Sequence, residues 1–170
     1  MCLPFGDLIY VACPACTSQK IIFTKDDIKT NDFHIYSILS SHLGDEFLAS
    51  NTNYIMVFEV DGLRIAHLGD LGQTKLTDEQ LKELGTIDIA FAQFDNSYSD
   101  MSGTNGKGLN LIEQFNPKIV IPTHYQDGTI TIIEGKYGKM TECENILQIS
   151  KEDLPEKPIN LYHITNTHKY

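Results

Sequence analysis

Three ionisable side chains lie where strands of the predicted fold end, and their types are those that bind metal ions. Asp70 lies between Gly69 and Gly72, two glycines that let the backbone turn sharply and leave a carboxylate at the mouth of a sheet. His124 follows one short apolar strand, and His42 follows another. Two imidazoles and a carboxylate can hold a single divalent ion if they converge. Metal-assisted chemistry is therefore the first possibility for these strand ends.

A predicted β-hairpin positions Asp70. Residues 54–60 are apolar, β-branched or aromatic as in a strand, Asp61 and Gly62 supply a two-residue turn, and residues 63–68 return as the partner strand. The hairpin therefore directs Asp70 towards one edge of the sheet.

A strand and a helix flank this hairpin in the sequence. Residues 33–39 alternate as a half-buried strand that runs out towards His42. Thr77 and Gln80 have the spacing of a capping box that starts a helix, and Gly85 is expected to end that helix as a left-handed cap. The pattern is that of an α/β domain.

The second half of the sequence continues the pattern and leads to His124. Its predicted elements are strands at 86–92, 118–122, 129–134 and 159–164, and a helix at 109–115. The strand at 129–134 is expected to lie at the edge of the sheet. Residues 141–149 are compatible with either a strand or a helix.

Two motifs, G-L-R-I-A-H-L-G-D-L-G at 62–72 and I-P-T-H-Y at 121–125, resemble the second half of the metallo-β-lactamase superfamily. The likeness is nearest to its bacterial MBL-fold metal-dependent hydrolases and runs from about 33 to 125. It implies an α/β fold, a partial metallo-β-lactamase-like αββα sandwich whose mixed sheet has helices on one face. It also implies that Asp70 bridges two metal ions, that His124 binds one, and that His42 supplies a further ligand.

The resemblance also implies that part of the metal site is missing. Most ligands in the family come from an H-x-H-x-D-H motif after an early strand, and this sequence contains no H-x-H and no D-H pair. We therefore expect residues 1–170 to form a single domain, N-terminally truncated relative to the family, with an incomplete site. The cofactor would be a divalent metal, zinc first and manganese or iron as alternatives, unless it has been lost.

Three functions are open at this point, and no catalytic residue is assigned. The protein is a hydrolase-like family member, weakly active or inactive alone. Alternatively, it is half of a hydrolase that a second copy or another chain completes. In the third reading it is an acidic binding or scaffold module without catalysis, in which the three strand-end residues only form hydrogen bonds. An active form would take a small-molecule substrate, and the same ligands with different loops serve lactams, lactones, thioesters and phosphodiesters.

Composition limits the partners. The chain has 170 residues, 41% hydrophobic content and a formal net charge of -10, which suit one globular domain. A negative mean field repels nucleic acid and anionic membranes, so neither is expected as a partner.

The sequence has no apolar run long enough to span a membrane and no signal-peptide pattern, which predicts a cytosolic protein with reduced thiols. We interpret Cys13 and Cys16 as thiols in a loop, because no second ligand pair accompanies them.

Several other residues are candidates for supporting roles. His67 is expected to pack beneath Asp70 and to hold its carboxylate by a hydrogen bond. Tyr125 either polarises a substrate oxygen or packs beside His124, and Asp95 either approaches the metal site or belongs to a turn. His34 is interpreted as a surface residue or a hydrogen-bonded core histidine, and His163 and His168 as surface residues, because no partner pattern accompanies them.

Overall fold

The computed structural model describes residues 9–11, 20–22, 27–48, 51–144 and 146–164. That part of the chain contains ten strands and three α-helices. The strands form a small two-stranded sheet and a mixed sheet of eight strands. The strands are β1 Ile9–Val11, β2 Lys20–Ile22, β3 Asp27–Lys29, β4 Phe33–Ser41, β5 Thr52–Val60, β6 Leu63–His67, β7 Ile89–Ala92, β8 Ile119–Pro122, β9 Thr141–Cys143 and β10 Asn160–Ile164. The helices are α1 Asp78–Leu84, α2 Lys107–Phe115 and α3 Asp127–Tyr137.

The order of strands decides which residues share an edge of the large sheet. The order is β3-β4-β5-β6-β7-β8-β10-β9, antiparallel from β3 to β6 and parallel from β6 to β9. The strands β4, β6, β7, β8, β10 and β9 therefore all end at one edge, which we call the carboxyl edge. Open sheets of this kind place their chemistry at such an edge.

All three helices pack on one face of the large sheet, as predicted. The main core contains Leu84 of α1, Leu111 and Ile112 of α2, and Ile133 of α3. These side chains pack against the inward residues of the strands, among them Ile38, Ile55, Val57, Ala66, Ala90, Val120 and Leu161. The α/β fold class is confirmed.

The opposite face of the sheet is also apolar. Ile89, Ile119 and Ile121 form a second cluster, against which Leu147 and Leu154 pack from the segment between β9 and β10. Because both faces of β7 and β8 are covered, nearly all residues of these two strands are apolar.

The β5–β6 hairpin and the start of α1 match the sequence prediction. Asp61 and Gly62 have φ values of 50° and 75°, which are the two positive angles that a type I′ turn requires. Thr77 and Gln80 form a complete capping box at α1. Gly85 ends the helix with a positive φ of 62° but with ψ of -152°, which is not the left-handed cap that we expected.

The predicted edge strand at 129–134 is wrong, because these residues lie within α3. The β-branched run had suggested a strand, but Thr129 and Ile133 are the buried residues and lie four apart, on one face of a helix. Tertiary packing against the core overrides the local β propensity here. The strand predicted at 86–92 begins later, at Ile89.

No helix in the described ranges is long and apolar enough to cross a membrane. The cytosolic compartment stays a prediction. Cys13, Cys16 and His168 lie outside the described residues.

Two loops of the carboxyl edge touch through their backbones at Gly72. The Gly72 N–H donates to the Ser41 carbonyl at 2.9 Å, and the Gly44 N–H donates to the Gly72 carbonyl at 3.2 Å. A Cβ atom on Gly72 would lie 1.9 Å from the carbonyl oxygen of His42. Only glycine therefore lets the turn that contains Asp70 lie directly against the segment that contains His42.

The substitution Gly72→Ala should destabilise the protein by about 1–3 kcal/mol, because the neighbouring backbone must move to admit the methyl group. The matched control is Gly135→Ala in α3, where an added Cβ meets nothing within 4 Å. That change should stabilise by about 0.5–1 kcal/mol through helix propensity. Urea unfolding followed by circular dichroism measures both, and a Gly72→Ala protein as stable as the parent would contradict the close approach.

Candidate functional site

Asp70 lies in a turn that a buried amide holds in place. Gly69 turns the chain with a φ of 61°, and the Asp70 N–H donates to the side-chain oxygen of Asn53 at 3.1 Å. The amide nitrogen of Asn53 donates to the Leu68 carbonyl at 2.9 Å and to the Ser40 hydroxyl at 2.8 Å. Sequence reasoning missed Asn53, although a polar residue at the start of an apolar strand is a usable signal for such a role.

His124 is fixed through its backbone to the end of β7. Its carbonyl accepts hydrogen bonds from the N–H groups of Phe94 at 2.8 Å and Asp95 at 3.0 Å. The imidazole Nε2 lies 3.9 Å from Oδ1 of Asp70, and the two side chains are 51% and 35% exposed. The structure therefore brings the predicted carboxylate and one predicted imidazole together at an open surface.

His42 follows β4 at the same edge, where its backbone contacts Gly72. Its N–H also donates to the Asn51 carbonyl. Over the described residues, no group of three or more His, Cys, Asp or Glu side chains is placed to hold a metal ion. Only Asp70 and His124 thus approach each other, and the assignment of His42 as a ligand stays a prediction.

The side chain of His67 supports the turn by a hydrogen bond to the backbone of the turn, and not by the expected hydrogen bond to the Asp70 carboxylate. Its Nδ1 accepts a hydrogen bond from the Gly69 N–H at 3.0 Å, and its ring stacks on Phe91 with centroids 5.7 Å apart. Burial lowers the pKa of His67, whereas the nearby Asp70 carboxylate acts in the opposite direction. A neutral ring whose Nδ1 accepts must have its proton on Nε2.

Asp95 belongs to the structure of the edge. Its carboxylate accepts a hydrogen bond from the Thr129 hydroxyl at 2.7 Å and so ties the end of β7 to the first turn of α3. The buried side chain of Gln93 donates to the Leu71 carbonyl at 2.8 Å. These polar side chains fix the loops from which the candidate ligands project.

His163 is not the unpartnered surface residue that the sequence suggested. Its Nε2 lies 2.6 Å from the Tyr125 hydroxyl, and its Nδ1 lies 3.0 Å from a carboxylate oxygen of Glu142. Burial, with smaller contributions from Glu142 and Asp127, raises the pKa of Tyr125, so the phenol stays protonated. The three partners are far apart in sequence, and no local pattern connects them.

A second polar cluster lies at the opposite edge of the sheet, around an open cavity of about 650 Å³. His34 bonds Glu59 through Nδ1 at 2.9 Å and Asp27 through Nε2 at 2.8 Å. Arg64 bonds Glu59 and donates to the Tyr36 hydroxyl at 2.7 Å. His34 is therefore a hydrogen-bonded residue of the fold, as the sequence analysis interpreted it.

The donor types at the carboxyl edge suit a divalent metal, but their number does not. Zinc takes imidazole and carboxylate ligands, and its catalytic sites normally use three protein ligands. Asp70 and His124 are two such donors, and the described residues place no third one beside them. The described residues by themselves therefore supply fewer ligands than a catalytic zinc site requires.

Comparison with known proteins assigns the family. The family model for the Beta-lactamase superfamily domain matches residues 12–124, about two thirds of the chain. The chain belongs to this superfamily.

Two solved structures share the fold. One is a metallo-beta-lactamase superfamily protein from Thermotoga maritima, with a TM-score of 0.67 and 22% identity over 86% of this chain and 73% of that one. The other is the metallo-beta-lactamase fold protein YhfI from Bacillus subtilis, with a TM-score of 0.50 and 10% identity over 84% of this chain and 51% of that one. At these identities the likeness concerns the fold alone.

The His34 cluster predicts how stability depends on pH. The hydrogen bond to Glu59, and then Asp27, raise the pKa of His34, because both carboxylates favour the protonated ring. The stabilisation is therefore complete below the unfolded-state pKa, about 6.5, and is lost as the pH rises through the higher folded-state value. Glu59 remains ionised over this range, since the same bond lowers its pKa.

We expect His34→Gln to cost more stability at about pH 6 than at about pH 9, by a few tenths to about 1 kcal/mol. Tyr36→Phe is the matched control, because it removes a hydrogen bond of the same cluster that does not titrate between these pH values. Urea unfolding at both pH values measures the difference. An equal cost of His34→Gln at both would show that the ion pairs contribute nothing.

Proposed function

We propose that this chain is a metal-dependent-hydrolase-like protein with an incomplete metal site, weakly active or inactive by itself. The observation that supports the proposal most directly is the pairing of Asp70 with His124 at 3.9 Å, from the ends of β6 and β8. The chain belongs to the superfamily, and imidazole and carboxylate are both ligand types for divalent metals.

Two protein ligands bind a divalent cation weakly, since the remaining positions are filled by water. Zinc is the expected ion, and manganese or iron are the alternatives. The pair is also open to solvent, which favours exchange of the ion and screens its charge. The substrate would be a small molecule with a hydrolysable bond.

A second candidate is that another chain, or a second copy, completes the site. This chain spans 73% and 51% of the lengths of the two solved structures. The open face of the Asp70–His124 pair leaves room for further ligands from a partner.

Metal binding tests the proposal. The purified protein should hold less than one zinc per chain by elemental analysis, and calorimetric titration with zinc should show one weak, saturable site. Asp70→Asn and His124→Gln should each abolish that site. The controls are Asp32→Asn, which removes an exposed carboxylate away from the carboxyl edge, and His34→Gln at the opposite edge of the sheet. Both variants should bind zinc as the parent protein does.

Each alternative has its own result in this experiment. Two tightly held ions per chain, with rapid hydrolysis of a lactam, lactone, thioester or phosphodiester, would contradict an incomplete site. Saturable zinc binding that Asp70→Asn leaves unchanged would favour the alternative of a binding or scaffold module. A stable dimer by light scattering, together with zinc binding that rises with dimer concentration, would favour completion by a second copy.

A further inference from the structure

The strand β4 is longer than the strand that pairs with its outer edge. β4 runs from Phe33 to Ser41, whereas β3 pairs only with residues 34–36 of it. In an antiparallel sheet, alternate residues direct both their N–H and their C=O to the same side of the strand. Residues 37–41 therefore present backbone groups to an outer edge along which no strand of the described ranges pairs.

Two glutamine side chains take the place of a neighbouring strand there. The amide nitrogen of Gln80 donates to the Leu39 carbonyl at 2.8 Å. The Ser41 N–H donates to the side-chain oxygen of Gln73 at 3.0 Å, and the Ser41 carbonyl accepts from the Gly72 N–H at 2.9 Å. Ser41 is thus bonded through both of its backbone groups, as it would be to the facing residue of an added strand.

The side chains of Gln73 and Gln80 also bond each other, and we call them the amide pair. Each amide nitrogen donates to the oxygen of the other side chain at 3.0 Å. The nitrogen of Gln73 also donates to the Lys75 carbonyl at 2.9 Å, and the oxygen of Gln80 also accepts from the Thr77 N–H at 2.8 Å. A primary amide offers two donors and two acceptor positions, and both side chains use all four.

The amide pair is buried although it lies at an edge of the sheet. Gln73 is 1% exposed and Gln80 is 5% exposed. Gln80 is also the third residue of the α1 capping box, but that role needs only its oxygen. A glutamate would cap the helix equally well and would interact favourably with the helix dipole. The amide nitrogen of Gln80 is therefore explained by the edge of β4 and not by the helix.

We propose that residues 37–41 of β4 are a strand-pairing surface that the amide pair keeps closed, and that the partner it fits when open is β4 of a second copy. Residues 37–41 carry no ionisable side chain, so two copies meet there without like charges opposite each other, despite a net charge of -10. The Leu39 side chain is 43% exposed and supplies an apolar contact across the paired strands. Two identical antiparallel strands are related by a two-fold axis, which gives a closed dimer. The surface involves neither Asp70 nor His124.

Glutamate substitutions open this surface with a minimal change of shape. In Gln80→Glu, the carboxylate still accepts from the Thr77 N–H, but it has no proton for the Leu39 carbonyl or for the oxygen of Gln73. In Gln73→Glu, the carboxylate still accepts from Ser41 but donates to nothing. Buried oxygens that face each other without a proton separate towards water, so the edge of β4 loses its cover.

The test combines light scattering with the exchange rate of single backbone amides measured by NMR. Gln80→Glu should form dimers at concentrations, between micromolar and millimolar, at which the parent protein shows no such association. In the dilute variant, the Ser41 amide should exchange about 5- to 10-fold faster than in the parent, because it loses its fixed acceptor. Dimer formation should slow that exchange again, together with the exchange of other amides in residues 37–41.

Gln114→Glu is the matched control. The side-chain oxygen of Gln114 accepts from the Leu76 N–H at 2.9 Å, next to the start of α1, and a carboxylate keeps that bond. The position is removed from the hydrogen bonds of β4, so this variant should associate no more than the parent does. Gln73→Glu should repeat the result of Gln80→Glu, and it replaces that variant if the latter does not fold.

Three results would overturn the proposal. One is a Ser41 amide that exchanges in the parent as fast as the amides of exposed loops, which requires no variant to fold. Another is a folded Gln80→Glu protein that stays monomeric up to millimolar concentration, or dimerises without protecting residues 37–41. The third is equal association of Gln114→Glu, which would assign the effect to the added charge. None of these measurements involves a metal ion, so none depends on the outcome for the Asp70–His124 pair.

Discussion

The carboxyl edge depends on one buried amide, the side chain of Asn53. It accepts from the backbone of Asp70 and donates to Ser40 and to the carbonyl of Leu68, so that it joins the ends of β4, β5 and β6. A buried amide deprived of such partners costs about 1–3 kcal/mol, which keeps the three contacts together. The backbone of Asp70 thus has a fixed place before any ligand arrives, which limits where its side chain can lie.

Much of the fold could be predicted because it is encoded locally. Asp61 and Gly62 accept positive φ values, and the capping box of Thr77 with Gln80 is complete within four residues. The meeting of Asp70 and His124 was predictable from the resemblance to the family and from their places after two strands. Parallel strands then put both residues at one edge without further information.

The remaining features depend on contacts between distant parts of the chain. Nothing near Thr129 reveals that α3 will pack on the core, so its β-branched neighbours suggested a strand. The contacts of His163 come from β9 and from the segment after β8, 21 and 38 residues away in sequence. No local pattern reports such pairs. Likewise, the placement of His42 is set by the close approach at Gly72, which is a tertiary contact.

The two outermost strands of the large sheet, β3 and β9, are only three residues long, and both carry ionised side chains. Asp27 and Lys29 lie on β3, and Glu142 lies on β9. Long, flat, apolar borders are templates on which further chains add by main-chain pairing, whereas short charged borders resist such growth. Borders of this kind disfavour edge-to-edge pairing between the sheets of two copies.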